Sequence, residues 1–257
     1  MILQTPDLTI THGNLEDAKF LFFVWTIPAG FFRVARSYTI LTYRFEHSDM
    51  AAFFKLNGIK YRIEKPDPDR QKEIAEKAKE LITLVDAPRG VTAETDSKYS
   101  LSMSWYDKAT PGTLLKIRNS IGDSLKRTHK VPREDVMWTC PSSYKDARAN
   151  GKGKHIGIKG YATYKKGGPT QHVPWNCKGT NDYAGRNFIV YLCNVCFHPA
   201  LPKHLSKHGM VMNEDEHALS SLLQFIWRSA IRKGEPIKIM IVNPRMRKLL
   251  EDWIASI

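Results

Sequence analysis

The chain lacks any run approaching the roughly 18 apolar residues of a membrane-spanning helix. Its longest candidate, residues 20–27, is short and is followed by Pro28 and Gly30. Residues 1–19 carry Asp7, Glu16 and Asp17 and no basic stretch at the start, so the pattern of a secretory signal is missing. Four cysteines in 257 residues make no disulfide framework, which points to a reducing compartment, the cytoplasm. No G-x-x-x-x-G-K-[ST] is present, which excludes a Walker A phosphate loop, and there is no G-x-S-x-G elbow or H-E-x-x-H zinc motif. No compact acid cluster suits two-metal nuclease chemistry. Acids are scarce overall: 26 Asp+Glu stand against 39 Lys+Arg, a formal charge of +13. That excess, with a pI near 9.5, fits a polyanionic partner, most often nucleic acid. Hydrophobic residues make up 42%, enough for a packed core, so general disorder is excluded.

Three stretches have the pattern of buried strands: Ser37–Tyr43, Asn187–Cys193 and Pro236–Val242. Helical spacing predicts helices over 68–85, 111–127, 215–233 and 245–256, the first two opened by Pro-containing start signals. Strands alternating with helices predict an α/β domain with a mainly parallel sheet flanked by helices. Glu214-Asp215-Glu216-His217 resembles a helicase acidic box superficially. No hydrophobic strand precedes it, and it reads better as a helix N-terminus, where acids favour the dipole.

Residues 144–179 differ from the rest. They are rich in glycine and poor in aliphatics, and Asp146 is their one acid against Lys145, Arg148, Lys152, Lys154, Lys159, Lys165, Lys166 and Lys178. Tyr144, Tyr161, Tyr164 and Trp175 sit among these cations. Cations track a phosphate backbone and aromatic faces stack on unpaired bases, so the segment is a candidate nucleic-acid contact. The bland alternative is a solvated insertion whose aromatics return to the core. On the predicted helix 215–233, Gln224, Arg228 and Arg232 are spaced i, i+4, i+8 and fall within an arc of about 80°. The arc faces away from the apolar side and is either a phosphate-binding stripe or an ordinary solvated face. Residues 178–183 precede a buried strand, a weak pointer to a ligand crevice. Cys177, Cys193, Cys196 and His198 could be four zinc ligands, against the plainer reading that Cys193 is simply buried at a strand end.

Several of these pieces together resemble the C-terminal half of the helicase-like proteins of bacteriophages and prophages, in the broad superfamily 2 (DEAD/DEAH-like) group. The matching stretches, in matching order, are VMWTCPSSYKDARANGKGK (136–154), KGTNDYAGRNFIVYLCNVCFHP (178–199), DEHALSSLLQFIWRSAIRKGEPIKI (215–239) and NPRMRKLLEDW (243–253). SYTILTYRFEHSDMAAFFKLNGIKY (37–61) is similar to the strand and helix that follow the acidic box in that group. The resemblance implies that residues 1–65 form the end of a first-lobe-like region. Residues 66–257 would then form a second RecA-like lobe with a Gly/Lys-rich insertion at about 144–179. It implies that Gln224 and Arg228 match the Q-x-x-x-R core of motif VI, where the Arg acts as a finger on the ATP γ-phosphate. Arg232 falls one residue later than that motif's second Arg. Thr180 and Asp182 resemble motif V, which couples nucleic acid to the nucleotide cleft, and Thr42 resembles the motif III position. The host setting implied is the cytoplasm of a bacterial cell.

The chain departs from that group in lacking Walker A and Walker B. It carries no nucleotide site alone; ATP and Mg²⁺ would be bound only with a Walker-containing lobe. Three readings follow: a helicase second lobe that binds DNA or RNA and lends Arg228 to another polypeptide's ATP site; a stand-alone, non-catalytic nucleic-acid-binding phage protein; and a phage protein that binds and inhibits a host protein. All three expect no ATPase from the chain by itself. Incubated with ATP, Mg²⁺ and single-stranded DNA, the purified chain should release no phosphate above background; measurable turnover would overturn the inference from the missing phosphate loop.

Overall fold

A computed structural model describes residues 8–10, 23–25, 27–40, 42, 44–64, 67–149, 153–162, 171–177 and 180–257. The chain divides into two compact units, one of Met1–Glu64 with Cys196–His217 and one of Lys65–Val195 with Ala218–Ile257.

In the smaller unit β1 (Leu8–Ile10) pairs antiparallel with β2 (Phe23–Trp25). A 3-10 turn at Ala29–Arg33 and helix α1 (Asp49–Leu56) follow. Ser48 caps α1 by accepting a hydrogen bond from Ala51 N at 3.2 Å. Of the stretch expected as a strand at Ser37–Tyr43, residues 37–40 and 42 form none and are exposed; Leu41 and Tyr43 lie outside the described residues. β-branched and aromatic residues favour a strand only where a neighbouring strand and a packed face receive them.

The larger unit opens with α2 (Pro68–Leu81), started by the Asp67 cap and Pro68. The helix predicted to reach Val85 stops at Leu81, because ITLV at 82–85 is largely β-branched and enters the sheet as β3 (Ile82–Val85). After α3 (Arg89–Thr92), α4 (Met103–Lys108) and α5 (Pro111–Asp123), one π-helical turn over Ser124–Thr128 leads to β4 (Val136–Thr139). β4 is a strand that the hydrophobic pattern of the sequence does not single out. β5 (Phe188–Tyr191) is followed by α6 (Ala200–Ser206), which belongs to the smaller unit, then α7 (Glu214–Ile226), β6 (Ile237–Ile241) and α8 (Pro244–Ala255). The four long-unit strands are all parallel, in the order β3-β6-β5-β4. The α/β architecture expected from the sequence is the one observed.

Alternation along the strands divides the core between the two faces of the sheet. Met137, Ile189, Tyr191, Ile237, Ile239 and Ile241 face Ala78 of α2, the apolar side of α7, and Met246 and Leu250 of α8. Val136, Trp138, Phe188, Val190 and Met240 face Val91, Tyr106, Leu114, Ile117 and Ile121 of α3, α4 and α5. Each fully buried large side chain contributes about 1.5–3 kcal/mol. Both faces being covered explains why β4 and β5 are buried at every position.

α7 begins as expected at the acidic run, with Asn213 Oδ1 accepting from Asp215 N and Glu216 N. The predicted continuation to residue 233 fails. Ser229 Oγ donates to Ile226 O at 2.7 Å, and Ala230 N donates to Arg186 O at 2.8 Å rather than to its own helix. The chain turns at Trp227–Ser229 and resumes as a 3-10 turn, Ala230–Lys233.

The carboxyl ends of β5 and β6 are closed by the loop that follows α3. Asn243 is fully buried; its Nδ2 donates to Ser100 O at 2.8 Å, Ser100 Oγ at 3.0 Å and Lys98 O at 3.3 Å. Its Oδ1 caps α8 by accepting from Met246 N at 2.9 Å. Asn194 Nδ2 donates to Lys98 O at 2.7 Å, and Asn194 N to Leu101 O at 3.0 Å. Leu101 is fully buried with φ +59°, a left-handed conformation that costs a non-glycine residue about 1 kcal/mol or more. Arg245 Nη1 donates to Asn194 Oδ1 and Val195 O, and Arg247 Nη1 to Val85 O at the end of β3. Asn243→Ala should lower unfolding stability by about 2–4 kcal/mol, since it removes a cap and leaves buried carbonyls unpaired. Asn243→Asp keeps the cap acceptor but turns a buried carboxylate oxygen toward the Ser100 and Lys98 carbonyls, so it should cost at least as much at neutral pH; urea unfolding of both variants measures the split.

Candidate nucleic-acid interface

The glycine-rich basic segment is partly folded onto the sheet. Ile156 and Ile158 are buried, and Ile156 N donates to Tyr144 O at 2.9 Å. Trp138 N donates to Gln171 O at 2.8 Å and Val173 N to Trp138 O at 2.9 Å, so His172 bridges to β4. Tyr144 stacks on Tyr106 at 4.9 Å between ring centroids and donates to Asp107 Oδ1 at 2.5 Å. Burial first, then the Asp107 contact, push its phenol up to about 12. Tyr161 donates to Val131 O at 2.9 Å while its carbonyl accepts from Trp138 Nε1 at 3.0 Å. Tyr161, expected to stack on a base, is 6% exposed and belongs to the core. An interior that must cover both faces of the sheet takes its aromatic area from the insertion as well.

Of the cations named in this segment, Arg148 and Lys159 are exposed, Lys145 is half-buried, and Lys154 Nζ donates to Asp107 O at 2.9 Å. Lys152, Tyr164, Lys165, Lys166 and Lys178 lie outside the described residues. A second basic stretch joins them. A Cβ on Gly122 of α5 would stand 2.5 Å from Lys159 O, so glycine lets the segment lie directly against the helix. Lys159 N donates to Arg118 O at 3.3 Å. The Arg118 guanidinium meets the His155 ring, whose pKa is lowered by burial first and by Arg118 second. Residues 118–130 carry Arg118, Lys126, Arg127 and Lys130 against Asp123 alone. Lys126, Arg127, Lys130, Arg148 and Lys159 are exposed, and none forms an ion pair with a carboxylate among the described residues. Sequence reasoning missed the 126–130 group because it lies outside the glycine-rich stretch. Its signal was the Lys-Arg pair at the end of an amphipathic helix.

The Gln/Arg stripe is divided by the end of α7. Arg228 lies in the turn and is 7% exposed, with Nη1 donating to Gln224 O at 2.8 Å. Its neighbours are Cys177, Tyr191 and Tyr183; burial lowers its pKa, and those three groups oppose the shift. Arg228 has no carboxylate partner among the described residues. The Tyr191 hydroxyl beside it is buried without a hydrogen bond among them. Gln224 Nε2 donates to Ser220 Oγ at 3.2 Å. Thr180 Oγ1 donates to Asp182 Oδ2 at 2.6 Å, and Asp182 acts electrostatically on Tyr183. Asp182, Tyr183 and Arg228 thus share a neighbourhood near the amino end of β5, whereas Arg232 stands exposed on the 3-10 turn. Thr42 is exposed in the smaller unit.

The four candidate zinc ligands are divided between the two units. Cys193 is buried, its thiol pushed well up by burial and opposed by a contact with Thr139 Oγ1. Cys196 and His198 belong to the smaller unit, Cys177 to the larger. Among the described residues no three His, Cys, Asp or Glu side chains converge as metal ligands. No described helix is long and apolar enough to cross a membrane.

Residues 76–254 match the family model described as the YonV C-terminal Rossmann-like domain. The SPbeta prophage-derived uncharacterized protein YonV of Bacillus subtilis (strain 168) is 30% identical over 244 residues, covering 90% of this chain and 55% of that protein. The chain therefore spans about half the length of that curated relative. No solved structure matches the chain.

Within the basic glycine-rich segment, His172 is the group whose ionisation the fold opposes most strongly among those described. Burial brings its pKa from 6.5 down to about 4, against a hydrogen bond to Cys140 O. The unfolded chain therefore takes up a proton at this residue before the folded chain does. Stability should be fully present above about pH 6.5 and decline by up to about 3 kcal/mol as pH falls to 4. Urea midpoints at three pH values measure the slope, and His172→Gln should flatten it.

Proposed function

The chain belongs to the YonV C-terminal Rossmann-like domain family, and from that premise we propose that it is a nucleic-acid-binding module of a phage protein, without nucleotide hydrolysis of its own. The observation that supports this most directly is the junction at Gly122. It sets the basic glycine-rich segment against the end of α5, next to the basic residues 126–130, and Lys126, Arg127, Lys130 and Lys159 are all exposed and free of described carboxylates. Clustered cations of this kind gain affinity by displacing counterions from a phosphate backbone. At the carboxyl edge, where an open α/β sheet usually takes its ligand, Asn194 and Asn243 are hydrogen-bonded to the chain's own loop. An exterior site is the better candidate.

A second reading keeps the helicase relation. A buried guanidinium without a carboxylate is expensive unless an anion meets it, and Arg228 is in that state among the described residues. In that reading Gln224 and Arg228 serve a phosphate of ATP, with Mg²⁺ and the Walker motifs on another lobe. The matched span is 55% of the prophage relative, which leaves that protein room for such a lobe.

Fluorescence anisotropy with a labelled oligonucleotide, as DNA and as RNA, tests the first reading. Affinity should fall steeply between about 50 and about 200 mM salt. Replacing Lys126, Arg127 and Lys159 together by Gln should weaken binding at least tenfold and reduce the log–log salt slope by about 2–3. Salt-insensitive binding, or none, would sink it. Arg228→Ala should leave this binding intact. If the second reading holds, it should abolish the nucleic-acid-stimulated ATPase obtained on mixing with a Walker-containing partner.

A further inference from the structure

The smaller unit carries a feature that neither basic stretch explains. Its interior is a network of aromatic rings. Phe54, 4% exposed, meets Phe32 edge-on at 4.8 Å between centroids, Phe45 at 5.9 Å and Tyr61 at 5.7 Å. Phe32 in turn meets Tyr38 at 5.4 Å, and Tyr38 meets Phe31 at 5.7 Å. The network does not end at the surface. Phe31 is 51% exposed, Tyr38 41% and Tyr61 36%. Each outer ring is held by neighbouring rings, and Tyr38 is fixed further by donating its hydroxyl to Phe31 O at 2.6 Å. A ring already fixed loses little conformational freedom when a flat partner stacks on it.

Cations alternate with these rings along the chain. Arg33 is two residues from Phe31, Arg36 two from Tyr38, Lys60 adjacent to Tyr61, and Lys55 adjacent to Phe54. All four are exposed, and none has a carboxylate partner among the described residues. The pattern is selective, because Arg44 pairs with Glu216 and Arg62 with Glu64. Arg33, Arg36, Lys55 and Lys60 are thus left for an external anion. A purely apolar protein partner would match the rings but leave these charges without complement.

We propose that this unit is a stacking platform for single-stranded nucleic acid, with Phe31, Tyr38 and Tyr61 receiving unpaired bases and Arg33, Arg36, Lys55 and Lys60 receiving the phosphates. A duplex presents phosphates but hides its base faces, so the combination of exposed ring and free cation selects the single strand. The proposal rests on the nucleic-acid reading of the chain, but on different residues.

The test uses the full chain and three oligonucleotides of one length: oligo-dT, a strand of the same length with abasic sugars throughout, and a duplex. The intact protein should bind oligo-dT at least tenfold more tightly than the abasic strand or the duplex. Changing Phe31, Tyr38 and Tyr61 together to Ser should remove that preference while leaving salt-dependent binding. Phe31→Trp with Tyr38→Phe and Tyr61→Phe should retain it. Should the Ser variant misfold by circular dichroism, photo-crosslinking of iodouracil-substituted DNA to the unaltered protein decides; adducts on residues 31–61 support the platform. Equal affinity for oligo-dT and abasic strand would overturn the proposal. So would adducts confined to residues 118–159, or self-association that the Ser variant abolishes. The Lys126/Arg127/Lys159 variant separates the two readings. If it alone is without effect, the Gly122 surface is not the interface and the platform stands.

Discussion

One carboxamide, that of Asn243, holds the carboxyl edge of the sheet together. It accepts the hydrogen bond that starts α8 and donates to the loop following α3, so the end of β6, the first turn of a helix and a distant loop share a single side chain. No other side chain supplies both an acceptor and two amide donors at that size except the glutamine one methylene longer, which would not fit a fully buried site. Asn194 repeats part of the arrangement at the end of β5. These bonds tie the carboxyl ends of β5 and β6, the edge where open α/β sheets usually take a ligand, to the chain's own loop at 98–101. Lys126, Arg127, Lys130 and Lys159, without a carboxylate among the described residues, stand on the outer surface instead.

How legible this was from the sequence differs by element. β5 and β6 were visible because their apolar runs are long enough to need cover on both faces. β3 was absorbed into the preceding helix: Ile82 and Val85 fit helical spacing from Ala78 and Leu81, and only pairing with β6 settles the four residues as a strand. β4 was passed over because Trp138 and Thr139 adjoin a cysteine and a proline that look like loop. The helix through residue 233 failed for a reason no local pattern carries: Ala230 N is taken by Arg186 O, from a segment 44 positions earlier (230 − 186).

The candidate site shows the same limit. Charge composition located the basic segment, since charges seldom go inside. The aromatics in it were ambiguous, because a tyrosine among lysines serves equally to cover a core or to meet a base. Tyr144 and Tyr161 cover the core. Of the rings that do reach solvent, Tyr38 stands in the Ser37–Tyr43 stretch, whose sequence has the pattern of a buried strand, and Phe31 lies just before it. The Gly122 contact with Lys159 depends on a missing Cβ, and only the fold reveals what that absence admits.

The strand order has a consequence for synthesis. β3 is the first strand of the four-stranded sheet to be made, yet its partner among the described residues is β6, and Ile82 waits for Ile237, 155 residues later (237 − 82). β4 and β5 can pair earlier, but until β6 arrives between them and β3 the sheet is in two pieces. Long-range parallel pairing of this kind is slow and leaves strand edges open meanwhile. A chain emerging from the ribosome therefore carries β3 without its sheet partner until β6 is made, next to the strongly charged α2 with Lys72, Glu73, Glu76 and Lys77 exposed.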